Sequence, residues 1–573
     1  LAAAARALTQ GGDAEGGEGA GRRPLLGRCA GLACVQRYVD LPDRHYSWQD
    51  TGVRIRGRDE DVGISWTGHV LNMTSQKWLS KWDVSHPILW HILIVVVPEE
   101  VDVEDWATIN FAFGYWDEQG DFRHVINRNP DHSGPLAVGD NLVENPDSIT
   151  AENVRDKGPQ LKSAAMVAAY TAVRTRAVGV CMLQTWNGYE RFNDDALGAE
   201  RFEDLLKGYS YLEFLRDPSR PEVLGELAAT KAAVRAMDTL TNHSRGRLQR
   251  FGLTGFSKLG TVTFMTGAID SRVKAIAPGS IYVTFFDLDP RSVVGEVVAD
   301  VVPIGLLQTG NGSDPAAANA WRLGNTAPVQ LSKPPPIEGL GTLAAFNMWA
   351  GALVAQYGLV MSLRNTYQAQ HLAAIIDPLF WLDKLRDTPT LFMNAKNDDV
   401  IPLSVQLLLE KRAHKFVGPT WFLELPNCDH MGTVTCGAPQ IASFFRAQMT
   451  GRQPPQLSWT FQAWQPQIIA GGQSLRVSVA GAPEAEAAAA PQARQWCAPL
   501  TGMATSPFGA WTSVEVDESK RGSGIYEAGP PVERFALGAM TTACFLRVAF
   551  PDWPEPGLEF TASTPVRLRP GRR

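Results

Sequence analysis

The chain has 573 residues, 45% hydrophobic and 20% charged, with 17 tryptophans and a formal net charge of -7. That length is too great for one hydrophobic core and implies a large unit with appendages, and the mildly acidic balance gives no electrostatic footprint for nucleic acid or an anionic membrane surface. The longest apolar run, PILWHILIVVVP at 87–98, is well short of the roughly 20 residues that span a bilayer, so it reads as a buried strand and no membrane span is expected.

Residues 1–34 are Ala/Gly-rich without apolar periodicity and read as a flexible arm; LAAAARALTQ suits either the tail of a removed targeting segment or disorder. Next come ISWTGHVLNMTSQKWL, PILWHILIVVV and ATINFAFG, three β-rich stretches. The pattern then alternates. LKSAAMVAAYTAVRT (161–175) predicts a helix, AVGVCMLQT (177–185) a strand, and FEDLLKGYSYLEFLRD and LGELAATKAAVRAMDTL two helices. RLQRFGLTG, RVKAIAP, TPTLFMNAK and PTWFLELP follow as strands, with helices in SKLGTVTFMTGAI, SVQLLLEKRAHKF and PQIASFFRAQM. Strands alternating with helices of this length imply a mostly parallel sheet covered on both faces, a doubly wound α/β domain of the α/β-hydrolase type. A Pro/Gly/Asn-rich stretch at about 290–370 reads as an insertion at one edge of the sheet. After Met449 the texture becomes short alternating runs between Pro/Gly segments, which predicts a small C-terminal β-sandwich. The expected organisation is an arm (1–34), a hydrolase-like domain (35–450) and a β domain (451–573).

Gly255-Phe256-Ser257-Lys258-Leu259-Gly260 falls where a predicted strand passes into a predicted helix, the context of a nucleophile elbow. The flanking glycines let strand and helix approach at a strained turn. The usual second glycine, two places after the serine, is Leu259 here, and the alternative is a serine acting as a helix N-cap. An elbow serine needs an acid and a histidine, in that order along the chain. Asp398 and Asp399 follow the strand TPTLFMNAK, and His430 follows PTWFLELP. Asp398 is the expected acid and Asp399 the expected helix cap, with the reverse assignment open. His430 would take the Ser257 proton and Asp398 would orient the imidazole. The oxyanion donors would be the backbone N–H of Lys258 and one from Gly114 or Tyr115, in the loop after the third strand.

Seven cysteines include three plausible local bridges, 29/34, 428/436 and 497/544, which leave Cys181 as a lone core thiol; the alternative is that all are reduced. Sequons stand at Asn72, Asn242 and Asn311 and, with the cysteines, tilt the reading toward secretion. The ten histidines are scattered, and His86 and His91, five apart in an expected strand, would face opposite ways, so neither metal nor cofactor is expected. The tryptophans read as core and interface packing.

Several stretches together resemble the PhoPQ-activated pathogenicity-related proteins, a family that includes the autocrine proliferation repressor of social amoebae. They are TSQKWL (74–79) with Trp90-His91, Glu203-Asp204, TKAAVRAMDT (230–239), GFSK with Gly260, AIDSRV (268–273), IDPLFWLDKL (376–385), the NDD segment, PNCDH (426–430) and FTASTPVRLRP. The resemblance, over roughly 38–570, implies an α/β-hydrolase core with a small C-terminal β domain in a secreted or periplasmic setting. The family's text after the serine resembles S-K-R-G-W, and Leu259 and Thr261 depart from it. Two function classes follow: a secreted serine hydrolase acting on a small-molecule or peptide substrate, or a non-catalytic extracellular signalling or adhesion protein on a hydrolase scaffold, with a protein partner at the C-terminal domain. An acyl transferase, sharing the same residues, is a third.

Overall fold

Runs such as Leu391-Phe392-Met393 and Trp421-Phe422-Leu423 are apolar at every position because both faces of their strands are covered. Leu391, Met393, Trp421 and Leu423 join one apolar cluster, and the Phe392 and Phe422 between them join the other. Successive side chains of a strand point to opposite faces, so a continuous apolar run requires two covering layers. The computed structural model describes residues 26, 29–113, 161–186, 190–195, 198–199, 201, 203–281, 367–398, 401, 403, 406, 409, 418–463, 473–480, 490–500, 511–519, 523–528, 541–564 and 566–570.

The large sheet contains β1 (Ser47–Asp59), β2 (Ile64–Lys77), β3 (Ile88–Pro98), β4 (Trp106–Phe111), β5 (Val178–Leu183), β6 (Arg250–Phe256), β7 (Val273–Gly279), β8 (Thr390–Ala395) and β9 (Thr420–Leu425). Its strand order is β1-β2-β3-β5-β4-β6-β7-β8-β9. β1, β2 and β3 pair antiparallel, as do β3 and β5, and every pair from β5 to β9 is parallel. This is the sheet of an α/β-hydrolase fold with one added edge strand. The chain leaves β4 for β5 on one side and leaves the neighbouring strand β6 for β7 on the other, so the topological switch point lies between β4 and β6.

Helices α1 (Leu32–Asp40), α3 (Glu203–Arg216), α4 (Gly225–His243), α5 (Lys258–Ile269) and α6 (Tyr367–Ile376) cover one face. On the other lie α2 (Leu161–Thr175) and α8 (Ala438–Met449), the latter preceded by the single turn α7 (Thr433–Cys436). Helix α1 starts inside the segment read as an arm. Its Val35 and Tyr38 are buried, and the Tyr38 hydroxyl donates to Gln76 at 2.8 Å. Local periodicity over nine residues was too short to announce it. The helix expected over 404–416 and the insertion over 290–370 fall largely outside the described residues.

The C-terminal segment forms two antiparallel sheets, β10 (Gln456–Ala463), β11 (Gln473–Ala480) and β14 (Ile525–Ala528) in one, and β12 (Gln492–Leu500), β13 (Thr512–Val516), β15 (Thr541–Pro551), β16 (Glu559–Ser563) and β17 (Arg567–Pro570) in the other. Their Val477, Tyr526, Leu546 and Phe560 are continuous with the apolar layer under α2 and α8.

The three disulfides expected from the cysteine spacing are present, Cys29–Cys34, Cys428–Cys436 and Cys497–Cys544, and Cys181 is a buried thiol. Trp66, Trp78 and Trp106 are core residues, whereas Trp82 is 70% exposed. Asn72 sits in mid-sheet, paired with Gln49 on one side and Ile92 on the other, and its Oδ1 is buried. Asn242 is exposed near the end of α4, and Asn311 lies outside the described residues. His86 precedes β3 rather than lying in it, so the argument from opposite strand faces does not apply. His91, within the strand, is buried between Ser75 Oγ at 2.8 Å and the Gln184 carbonyl at 2.7 Å.

Candidate active site

Ser257 stands between β6 and α5 with φ 55° and ψ -131°, a conformation that an L-residue holds only when its surroundings enforce it. Its backbone N–H donates to the Gly279 carbonyl at 2.9 Å, which pins the turn to the end of β7. The sequence departure at Leu259 has a steric explanation. A Cβ on Gly255 would lie 2.9 Å from the Leu259 carbonyl oxygen, and one on Gly260 would lie 2.4 Å from Ile281 Cγ2. The close approach falls at 255 and 260, so position 259 carries a side chain, and Leu259 is fully buried. Ser257 makes no side-chain capping bond to α5, so the simple N-cap reading does not describe it.

His430 and Asp398 arrive from the ends of the adjacent parallel strands β9 and β8. His430 Nδ1 is 2.8 Å from Asp398 Oδ2, and both side chains are buried. The other carboxylate oxygen of Asp398 accepts the Ile401 N–H at 2.6 Å. The His430 ring packs edge-on against Phe256, centroids 5.6 Å apart, which places the imidazole beside the residue that immediately precedes Ser257. The Thr433 hydroxyl donates to the His430 carbonyl at 2.7 Å, and Cys428–Cys436 closes the same loop.

Lys258 is the first residue of α5, in the N-terminal turn where backbone N–H groups point out of the helix end. Gly114 and Tyr115 lie outside the described residues, as does Asp399. The segment leading to Gly114 ends at Phe113, whose ring meets Phe256 at 5.1 Å and lies 4.3 Å beneath the Lys258 ammonium. Ser257, Lys258, His430 and Phe113 therefore gather at the β4/β6 switch point, where ligands bind in open parallel sheets.

The sequence profile of the PhoPQ-activated pathogenicity-related protein family matches residues 35–287 and 343–489. The chain belongs to this family. Autocrine proliferation repressor protein A of Dictyostelium discoideum is 25% identical over 434 residues, 74% of this chain and 66% of that relative, so the match spans just under two thirds of its length. Distant likeness extends to solved structures, two esterases among them. One is the glucuronoyl esterase from Solibacter usitatus, at 12% identity over 71% of this chain and 87% of that one, TM-score 0.38. The other is the rice cell wall degrading esterase LipA from Xanthomonas oryzae, at 14% identity over 72% and 100%, TM-score 0.36.

The PhoPQ-related chain also carries a buried ionic cluster that the sequence alone did not place. Lys258 Nζ lies 2.9 Å from Asp204 Oδ2, Lys207 Nζ lies 3.8 Å from Glu226 Oε1, and the Tyr211 hydroxyl donates to Glu226. Burial alone would raise the Asp204 carboxyl, but the charges of Lys258 and Lys207 outweigh it and hold the carboxyl below its ordinary value. Burial pushes Glu226 up, against the opposing charge of Lys207. The paired Glu203-Asp204 of the family resemblance was the available signal, and two acidic residues on a helix do not reveal which basic residue they will face.

Proposed function

We propose that this protein is a secreted serine hydrolase, an esterase or peptidase, in which Ser257 is the nucleophile, His430 the general base and Asp398 the group that orients it. With Nδ1–H engaged by Asp398, His430 takes the Ser257 hydroxyl proton at Nε2 as Oγ bonds to the acyl carbon. The carbonyl oxygen gains the charge and accepts hydrogen bonds from the Lys258 N–H and from a second donor assigned to Gly114 or Tyr115. His430 then passes the proton to the leaving group as its bond to the acyl carbon breaks. A water molecule, deprotonated by His430, releases the acid and restores the serine. The observation that carries this reading is the buried Asp398–His430 pair packed beside the strained Ser257 turn. Three disulfides support an oxidising, extracellular setting.

The test is fluorophosphonate labelling of purified protein with Ser257→Ala and His430→Ala alongside, read by intact mass. A single adduct on wild type, located at Ser257 and absent from both variants, is the expected result. Folded wild-type protein that takes no label would overturn it and favour a second reading, an extracellular signal on a hydrolase scaffold. The relative named as an autocrine proliferation repressor is what recommends that alternative.

A further inference from the structure

The loops that bring Asp398 and His430 together are held from outside the sheet by one residue of the C-terminal segment. Trp511 is 2% exposed and immediately precedes β13. Its indole Nε1–H donates to the Lys396 carbonyl at 3.3 Å, two residues before Asp398. Its backbone N–H donates to Asn427 Oδ1 at 2.7 Å, and Asn427 Nδ2 donates back to the Trp511 carbonyl at 3.1 Å, three residues before His430. Asn427 itself holds φ 57°, in the left-handed region where Asn is favoured over most residues. The ring packs with Phe545 of β15, centroids 5.2 Å apart, in an apolar cluster that also takes in Leu403, five residues past Asp398.

The platform behind Trp511 is cross-linked. Thr512 pairs in the ladder with Cys497, and Cys497 is bonded to Cys544 of the next strand. The two loops also touch each other directly, Asn397 N–H to the Cys428 carbonyl at 2.9 Å. Two loops on neighbouring strands can move independently unless something bridges them, and hydrogen-bond geometry between their tips is sensitive to shifts of a few tenths of an ångström.

We infer that Trp511 is a positioning residue for the Asp398–His430 pair, and that the C-terminal β segment is thereby a working part of the active site. This rests on the serine-hydrolase reading above. Trp511→Phe in the full chain removes the donor to Lys396 and keeps an aromatic ring in place. Asn427→Gly removes both amide bonds to Trp511 while tolerating the positive φ. Trp421→Phe is the matched control, because its Nε1–H donates to the Pro455 carbonyl at 3.0 Å, a buried indole bond that touches neither loop.

Two readouts separate the claims. In hydrogen–deuterium exchange, Trp511→Phe and Asn427→Gly should each speed exchange over 396–401 and 427–432 together, by about fivefold or more, with Trp421→Phe leaving those segments near wild type. In fluorophosphonate labelling, both variants should lower the maximal inactivation rate about tenfold with little change in the probe's apparent binding constant, and Trp421→Phe should not. Unchanged exchange in both loops, or inactivation at the wild-type rate, would overturn the inference. Wild-type protein that never labels would instead sink the triad, and with it the positioning role, while the exchange data would still report whether Trp511 couples the loops.

Discussion

Lys258, the residue after the proposed nucleophile, spends its side-chain charge on Asp204, with Nζ and Oδ2 2.9 Å apart across a sequence separation of 54. The contact ties the first turn of α5 to the first turn of α3, so the Ser257 turn is braced from the helical layer as well as from β7. Asp204→Asn removes the carboxylate that Lys258 faces and should cost about 3 kcal/mol at neutral pH, read from urea unfolding. The Asp204 carboxyl is held below its ordinary value, so its stabilisation is fully present above the unfolded pKa of about 4 and is lost as pH falls through the folded value. The gap between wild type and variant should therefore close in acid; a gap that persists unchanged at low pH would contradict the pairing.

Asp398→Asn tests the orienting role directly. The amide matches the carboxylate in shape but cannot stabilise an imidazolium, and the labelling rate should fall by roughly 10³–10⁴ with folding intact. Labelling within a few-fold of wild type would shift the acid role to another residue, with Asp399 the first candidate.

Gly260→Ala places a methyl 2.4 Å from Ile281 Cγ2. The strain should lower stability by about 1–3 kcal/mol and slow labelling, because the same contact sets the approach of α5 to β7. Trimming the neighbour in Gly260→Ala/Ile281→Ala should recover part of both losses relative to the sum of the single changes. A strictly additive pair would mean that the clash is relieved elsewhere.

His91 gives a pH signature remote from the proposed chemistry. Burial lowers its pKa to about 4, with the Gln184 carbonyl opposing. The folded state holds the ring neutral while the unfolded chain protonates near pH 6.5, so stability should be lost as pH falls from about 6.5 to about 4, by roughly 1.4 kcal/mol per pH unit. Chemical denaturation at a series of pH values should show this slope in wild type and a flatter one in His91→Gln.

Cys428–Cys436 encloses His430 in a short loop. Replacing both by serine should cost about 2–3 kcal/mol by the loop-closure estimate, and should depress labelling more than the matched Cys29→Ser/Cys34→Ser variant does. Equal labelling in the two double variants would make the bridge structural only.

Much of this architecture was readable along the chain. The apolar runs of β3 to β9 announced strands covered on both faces, and Ser257, Asp398 and His430 each stand just past a predicted strand in the order an elbow requires. Helix α1 was missed because it spans only nine residues and begins inside a stretch whose Ala/Gly-rich composition reads as an arm. Strand β1 was missed because it lies at the sheet edge, with its alternation half exposed.

The sequence by itself determined the kinds of residue that stand at strand ends and the disulfide partners that lie close in the chain, since both depend on local period and short spacing. Only the tertiary structure decided what those residues touch. Trp511 reaches Asn427 across 84 positions, and Asp204 reaches Lys258 across 54, because strand order and helix packing bring them together. No local pattern encodes such a meeting, since each partner's own neighbours look the same whether or not the contact forms.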